Sequence, residues 1–542
     1  MKFPSVYAQV YLYGGIFSRV FERKGLRNLA KVGEIRGKSA TWRWIFATLT
    51  MNYLENYFQK FPKEKRSKAA IAYLAALDHI GEDHPEVAAT IVKEIKDQRK
   101  YLKLIASENY SSLAVQLAMG NLLTDKYAEG FSHHRFYAGC ENIDTVEDLA
   151  ASELKKIFRC DHAYVQPHCG ADANMVAIWA FLTTRFENKE VERLGKKSVD
   201  QLTAEEYEAV RKVLVSQKMM GMGLGSGGHL THGYRRNISS KIMQSVSYDV
   251  DPKTGLLDYD ALSEQVKREK PALLIVGYSA YPRLLDFAKL REIADSVGAG
   301  LMADMAHFSG LVAGKVLQGN YDPVPFADLV TSTTHKTLRG PRGGLVMCTN
   351  EFKEAVDRGC PLVLGGPLPH VIAAKAVAFQ EVNTPEFQKY AHQIVANANS
   401  LANSLIANGA HILTNGTDNH LIVIDVSGFG LTGMQAEKAL RQAGLTVNRN
   451  SIPNDPNGAW FTSGVRIGTP AITSRGMREK EMESIGKFIV STLQGSKPAY
   501  SEKLKGPGRV NVEVDPKILE RVRSEVNELL EGFPLYPELV VE

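Results

Sequence analysis

Between Leu273 and Lys336 the chain alternates short apolar runs with amphipathic stretches. Leu273–Gly277 is wholly apolar and closes on Tyr278-Ser279-Ala280-Tyr281. Residues 287–297 carry apolar side chains at helical spacing. A second run, 300–303, closes on Asp304-Met305-Ala306-His307, and a third starts at Asp328 and closes on Thr333-Thr334-His335-Lys336. Apolar runs this short, separated by helices, are strands buried on both faces of a mainly parallel sheet. The spacing predicts an α/β fold. In open α/β sheets ligands collect beyond the carboxyl ends of the strands. Ser279, Asp304, His307 and Lys336 all fall at such ends.

The alternation extends to either side. Val146, Leu149, Ala150, Leu154, Ile157 and Phe158 lie at helical spacing, residues 162–166 read as a strand, and Cys169-Gly170-Ala171 opens the next helix. Beyond 385 the pattern becomes a helix over 385–407, a strand over 420–426, a helix over 433–443, a strand over 445–447 and amphipathic helices near 478–494 and 515–531. We expect a leader over 1–50, a helical arm over 51–110, with a charged stretch running to Leu104, a large domain over 111–384 and a smaller C-terminal α/β domain over 385–542. The charged block 185–217 reads as a solvated helical insertion without chemistry.

Composition narrows the class. The 542 residues are 44% apolar and 23% charged, an ordinary globular balance, and no apolar run reaches the ~18 residues of a membrane span. The net charge of +5 is no argument for nucleic acid. Residues 1–50 hold nine Lys/Arg against two Asp/Glu, while the remainder, 56 basic against 58 acidic, is close to neutral. That leader has three readings: a mitochondrial-type targeting peptide, a family-specific arm, or a start set too early, with Met51 the true beginning. The last two are preferred, because no Ala-x-Ala cleavage site is present. A cytoplasmic placement is expected, organellar only if the leader is a targeting peptide. Five cysteines without CxxC spacing point to free thiols in a reducing compartment and to no metal site.

Taken alone, Lys336 is an ordinary lysine before a tight Gly340-Pro341-Arg342-Gly343-Gly344 turn. A lysine desolvated at a strand end, however, has a lowered pKa and forms Schiff bases. Asp304 ends an apolar strand, where an unpaired carboxylate is costly. A pyridinium nitrogen is its natural partner, and Asp followed 32 residues later by Lys is the layout of a pyridoxal phosphate pocket. Cys169-Gly170-Ala171 offers helix N-terminal N–H groups to a phosphate, and Gly365-Gly366 is a second candidate cradle. In the glycine-rich loop 225–233, His229 is better suited to stacking on a cofactor ring than to binding metal. Arg466, among small residues, suits a substrate carboxylate, with a structural salt bridge as the equal alternative.

Together these motifs resemble serine hydroxymethyltransferase, a fold-type-I pyridoxal phosphate enzyme. The resemblance rests on 104–109 (LIASEN), 125–130 (DKYAEG), 227–233 (GGHLTHG), 303–307 (ADMAH), 333–344 (TTHKTLRGPRGG), 450–455 (NSIPND) and 462–471 (TSGVRIGTPA). It implies reversible transfer of the hydroxymethyl carbon of L-serine to tetrahydrofolate, giving glycine and 5,10-methylenetetrahydrofolate, with a slow aldolase side activity. Lys336 would carry the cofactor as an internal aldimine, and Asp304 would pair with its ring nitrogen. His229 would stack on the ring, Ser279 and His307 would lie near its phenolic oxygen, and His335 would join the cofactor pocket. Ser107, Tyr127 and Arg466 would take the substrate carboxylate, and Glu129, with Tyr137 beside it, the proton transfers at the serine hydroxyl. Leu224, Gly228, Leu230, Glu129, Phe136 and Asn450 would meet the folate. Tyr127, Glu129 and the Gly365-Gly366 turn would reach a neighbouring subunit, so a homodimer or dimer of dimers with shared active sites is implied. A related folate-independent aldolase is the alternative enzyme. The sequence departs from the family at Cys169-Gly170-Ala171, where Ser-Gly-Ser is usual, at Phe136, at Ser132-His133-His134 and at 360–364.

Overall fold

The computed structural model describes residues 52–541, so the leader and the choice of start lie outside the described residues. Three helices open the described chain: α1 (Tyr53–Lys60), α2 (Lys68–Asp83) and α3 (Pro85–Lys100). Ser67 caps α2, and His84 followed by Pro85 ends it and starts α3. The stretch expected to run on to Leu104 stops at Lys100, because Leu102 and Lys103 pair as a short parallel strand with Leu445 and Thr446. Tyr57, Leu74, Leu77 and Val92 from these helices bury against Leu539 and Val541 near the other end of the chain.

The large sheet has seven strands: β1 (His162–Tyr164), β2 (Lys218–Met222), β3 (Gln244–Tyr248), β4 (Leu273–Gly277), β5 (Gly300–Asp304), β6 (Leu329–Thr333) and β7 (Gly344–Cys348). Their order in space is β1-β7-β6-β5-β4-β2-β3. β2 to β6 are joined by parallel pairings, with Val276 opposite Ala303 and Ala303 opposite Val330. β7 is antiparallel to both its neighbours. β6 ends at Thr333 and β7 starts at Gly344, too short a link for a parallel crossover of about a dozen or more residues. The segment carrying Lys336 is therefore a hairpin return rather than a strand-to-helix loop.

Alternate residues of the central strands feed opposite faces. Leu274, Val276, Leu301 and Ala303 pack with Leu154 and Phe158 of α4 (Glu141–Phe158) and with Phe287 and Leu290. Leu273, Ile275 and Met302 pack with Val176, Ile178 and Phe181 of α5 (Gly170–Leu182). The contact is close enough that a Cβ on Gly300 would lie 2.4 Å from the Phe181 ring. The charged insertion is helical as expected: a π turn over Thr183–Glu187, then helices Asn188–Arg193 and Ala204–Ser216.

α6 (Pro369–Val382) places Lys375 in the interior, where its Nζ donates to the carbonyls of Val165, Pro167 and Gly344 at 2.5–2.9 Å. α7 (Pro385–Ala407) leads to a second sheet of β8 (His411–Ile412), β9 (Leu421–Asp425), β10 (Asn448–Asn450) and β11 (Gly464–Gly468), ordered β8-β9-β11-β10. All its pairings are antiparallel. Ile422, Ile424 and Ile467 share a core with Leu401 of α7, with Ile485 and Ile489 of α8 (Glu479–Gln494) and with Val526 of α9 (Pro516–Gly532). The hairpin Ser496–Ser501/Gly506–Val514 between the last two helices was not foreseen. Its Lys, Pro and Gly content hides the alternation that marks a strand.

Candidate active site

The ends of β4, β5 and β6, the start of α5 and Arg466 of β11 enclose a cavity of about 530 Å³. Ser107, Cys169, Gly170, Ala171, His229, Ser279, Asp304, His307, His335, Lys336 and Arg466, all singled out from sequence, line it. So do Glu108, Asn174, Thr333 and Arg342, which were not.

Asp304 is 6% exposed. Its Oδ2 accepts from His232 Nε2 at 3.0 Å and from Asn174 Nδ2 at 2.8 Å, and its Oδ1 accepts from the Ala306 N–H at 3.0 Å. Burial alone would raise its pKa, but the hydrogen bond and charge of His232, with smaller help from His229 and Asn174, hold the carboxyl well below the usual carboxylate range. Sequence reasoning passed over His232 and Asn174, since neither carries a motif of its own at this position. Asn174 also donates to Thr231 Oγ1 at 2.7 Å and accepts from the Thr331 hydroxyl, tying α5 to β6. His229 and His232, with Asp304, bring three ligand-type atoms within 4.8 Å of one another, and the His232–Asp304 hydrogen bond accounts for that closeness.

Lys336 is half-buried, and its Nζ has no hydrogen bond or ion pair among the described residues. Desolvation, only partly offset by Asp304, brings its pKa from 10.5 down to about 8. The hairpin around it is fastened on both sides. Asn109 Nδ2 donates to the Lys336 carbonyl at 2.9 Å, Thr337 Oγ1 donates to the His307 carbonyl at 2.9 Å, and the Gly340 N–H donates to the Thr334 carbonyl at 2.7 Å. His335 Nδ1 accepts from the Gly343 N–H, and burial pushes that imidazole down to about 3. Burial likewise takes His229 down to about 4, a neutral ring anchored by Thr231 Oγ1 at 2.7 Å.

Cys169 precedes α5 with an extended backbone and makes no side-chain cap, leaving the first N–H groups of the helix for an anion. Gly170 is required there, because a Cβ would sit 2.7 Å from Thr333 Cγ2. Across the cavity Arg466 donates from Nη1 to the Ser279 carbonyl and from Nε to Asn448 Oδ1 at 3.2 Å. No carboxylate among the described residues pairs with it, and burial alone takes its pKa down to about 10. The salt-bridge alternative for Arg466 therefore has no partner among the described residues.

Tyr127, Glu129, Phe136 and Tyr137 do not line this cavity. They form a separate, exposed group in which the Tyr127 and Tyr137 hydroxyls each reach a Glu129 oxygen at 3.4 Å and the two rings meet edge to face at 5.0 Å. Gly366 lies against this group, its notional Cβ 3.4 Å from the Tyr127 ring, and neither Gly365 nor Gly366 touches the cavity. The hairpin behind Glu129 is anchored by buried Arg135, which bonds Asp144 at 2.8 Å and Glu147 at 2.9 Å on α4. Leu224, Gly228, Leu230 and Asn450 also lie outside the cavity lining. The 224–228 loop is pinned beside it, since the Ser279 and Ala280 N–H groups donate to the Gly227 carbonyl, and Gly225 faces the Ile452 carbonyl.

Residues 80–190 and 193–489 match the family model described as serine hydroxymethyltransferase. The chain belongs to the serine hydroxymethyltransferase family. A protein of that name from Treponema pallidum is 55% identical, over 90% of this chain and 84% of its own length. Another from Salinispora tropica is 54% identical, over 86% and 98%, and one from Chlamydia trachomatis serovar D is 49% identical, over 92% and 99%. Serine hydroxymethyltransferases are fold-type-I pyridoxal phosphate transferases, and the cavity fits that group by its own charges. Among the described residues Lys336, Arg342 and Arg466 lack acidic partners, Glu108 is paired with Lys103 at 3.1 Å, and Asp304 is the one remaining carboxylate of the lining. Two sites for anions and one for a cationic ring nitrogen are what a phosphate, a substrate carboxylate and a pyridinium require.

Proposed function

We propose that this chain interconverts L-serine plus tetrahydrofolate and glycine plus 5,10-methylenetetrahydrofolate. The observation that carries this is the cavity pairing a deeply held Asp304 anion with a Lys336 amine and an Arg466 guanidinium that have no anionic partners among the described residues. Pyridoxal phosphate, when bound, supplies a protonated ring that accepts the electron pair of the bond broken at the substrate's Cα.

The chain's residues supply the rest. Lys336 Nζ would hold the cofactor covalently, and Asp304 would keep its ring nitrogen protonated. Gly170 and Ala171 N–H groups would take the phosphate, as would Gly365-Gly366 of a neighbouring subunit, and His229 would cover the ring. Ser279, His307 and His335 would border its polar edge. Arg466 and Ser107 fix the substrate carboxylate and thereby which bond at Cα stands perpendicular to the ring, a positioning effect that reaches roughly 7–11 kcal/mol at its upper end. Glu129, steered by Tyr127 and Tyr137, moves the proton at the serine hydroxyl. Leu224, Gly228, Leu230, Phe136 and Asn450 border the folate.

Glu129 and the cavity belong to separate clusters of one chain, so the working site is built by two copies. The exposed apolar residues around it support such an interface: Leu122 is 85% exposed, Phe136 72% and Leu362 63%. The enzyme is a homodimer or dimer of dimers acting in the cytoplasm; no helix among the described residues is long and apolar enough to cross a membrane. Glycine formation from serine, measured with and without tetrahydrofolate, tests the assignment. Strong dependence on the folate is expected, and equal rates without it would make the protein an aldolase.

A further inference from the structure

Two histidines meet behind the carboxylate site, and only one of them lines the cavity. His307 Nδ1 and His420 Nε2 are 3.2 Å apart, and the rings meet edge to edge, with centroids 5.5 Å apart and planes 25° from parallel. His307 is 2% exposed and His420 fully buried. On its far side His420 Nδ1 has no hydrogen-bond partner among the described residues. On the near side an N–H of Arg466 Nη1 points at His307 Nε2 across 3.5 Å.

Burial and nearby cations push His420 down to about 3 and His307 well below the usual imidazole range, so both rings are neutral. A neutral imidazole carries one proton, which leaves two arrangements. In the first, His307 Nδ1 donates to His420 Nε2, and His307 Nε2 accepts from Arg466. In the second, His420 Nε2 donates to His307 Nδ1, and the proton on His307 Nε2 faces the Arg466 N–H, donor against donor beside a half-buried cation. His420 Nδ1 is left without a partner in both, as an N–H in the first and as a lone pair in the second. The donor clash belongs to the second alone.

We propose that His420 is a positioning residue: by accepting from His307 Nδ1 it fixes the His307 lone pair at Nε2, and so holds Arg466 for the substrate carboxylate. The donors of the guanidinium can be counted. One Nη1 hydrogen goes to the Ser279 carbonyl, the other to His307 Nε2, and Nε–H goes to Asn448. Of the five N–H donors, the two on Nη2 remain for the ligand. Without an acceptor behind it, His307 can carry its proton on Nε2, and Arg466 loses one of its three anchors.

This inference rests on Arg466 being the carboxylate clamp, so the experiment separates the two. Neutron diffraction of the holoenzyme crystal should place a deuteron on His307 Nδ1 and none on Nε2. Calorimetry with glycine and steady-state kinetics with serine are run on the holoenzyme and on His420→Phe, His420→Asn and Arg466→Lys. His420→Phe should weaken glycine binding and raise the serine KM about tenfold, the worth of one hydrogen bond to a charged group, with kcat changed far less. His420→Asn, whose amide oxygen can accept, should recover most of the loss. A deuteron on His307 Nε2 overturns the proposal. So does unchanged glycine affinity in His420→Phe when Arg466→Lys binds weakly. Unchanged affinity in Arg466→Lys instead removes the clamp reading, and this one with it. Should His420→Phe not fold, the neutron map decides.

Discussion

His232 Nε2 lies 3.0 Å from Asp304 Oδ2, with both side chains shielded from water. The carboxylate is thereby held ionised in a place where burial opposes charge, and its role does not depend on solvent. Asp304→Asn keeps the shape and removes the charge. Turnover of serine should fall by about 10²–10³ or more, the range seen when one preorganised electrostatic group is lost, and the absorption spectrum of the bound cofactor should shift. Turnover within tenfold of the parent would contradict the assignment.

Asn174→Ala removes the link between Asp304, Thr231 and Thr331. Three buried partners lose a hydrogen bond, so stability should drop by about 1–3 kcal/mol, read from the melting transition. Cofactor release, followed by absorbance after dilution, should quicken. A variant that keeps both properties would show that His232 alone suffices to hold Asp304.

The amine of Lys336 must be unprotonated to attack an aldehyde. In cofactor-free protein the rate of pyridoxal phosphate capture should rise with pH and level off above about 8, where burial has brought this lysine. The sign for stability follows the same shift. Between about 8 and the ordinary 10.5 the unfolded chain binds the extra proton, so this group's contribution to the stability of the cofactor-free protein increases as pH rises through that window. A capture profile still climbing steeply at pH 10 would place the amine in water.

Lys375→Met leaves the carbonyls of Val165, Pro167 and Gly344 without their shared donor. The expected loss is about 3 kcal/mol or more by urea denaturation. Lys375→Ala opens space among the same three oxygens, and added ammonium should recover part of the loss. Equal stability of parent and variants would mean that the three carbonyls find other donors.

Lys336→Ala and Glu129→Gln should each be inactive as pure proteins. Dissociated and reassociated together, they should regain activity, approaching one quarter of the parent in an equal mixture if pairing is random, because half the dimers are mixed and each mixed dimer holds one intact site. No recovery would mean that Glu129 serves the cavity of its own chain.

Where sequence was readable, it was readable through burial. Ser279 and Asp304 follow runs so apolar that strand ends could be placed within a residue or two, whereas the strand before Lys336 is apolar only at its start, Leu329-Val330. β2 and β3 were missed because Met219-Met220-Gly221 and Gln244-Ser245-Val246 show neither a β-branched run nor clear alternation. The direction of β7 was not readable, since hydrophobicity carries no sign along a strand. His232, Asn174 and His420 escaped because their value lies in partners 72, 130 and 113 residues away, a relation no local pattern records. Arg466 was undecided from sequence for the converse reason: what distinguishes it is a partner it lacks.

The short return between β6 and β7 tells an engineer where to leave the chain alone. Lys336 rides in it, braced at Asn109, Thr334 and Thr337, and a single inserted residue would swing the amine off the axis set by Asp304. Libraries aimed at a new one-carbon acceptor belong instead in the stretches 224–228 and 450–462, which lie outside the cavity lining, so that the reactive nitrogen keeps its aim.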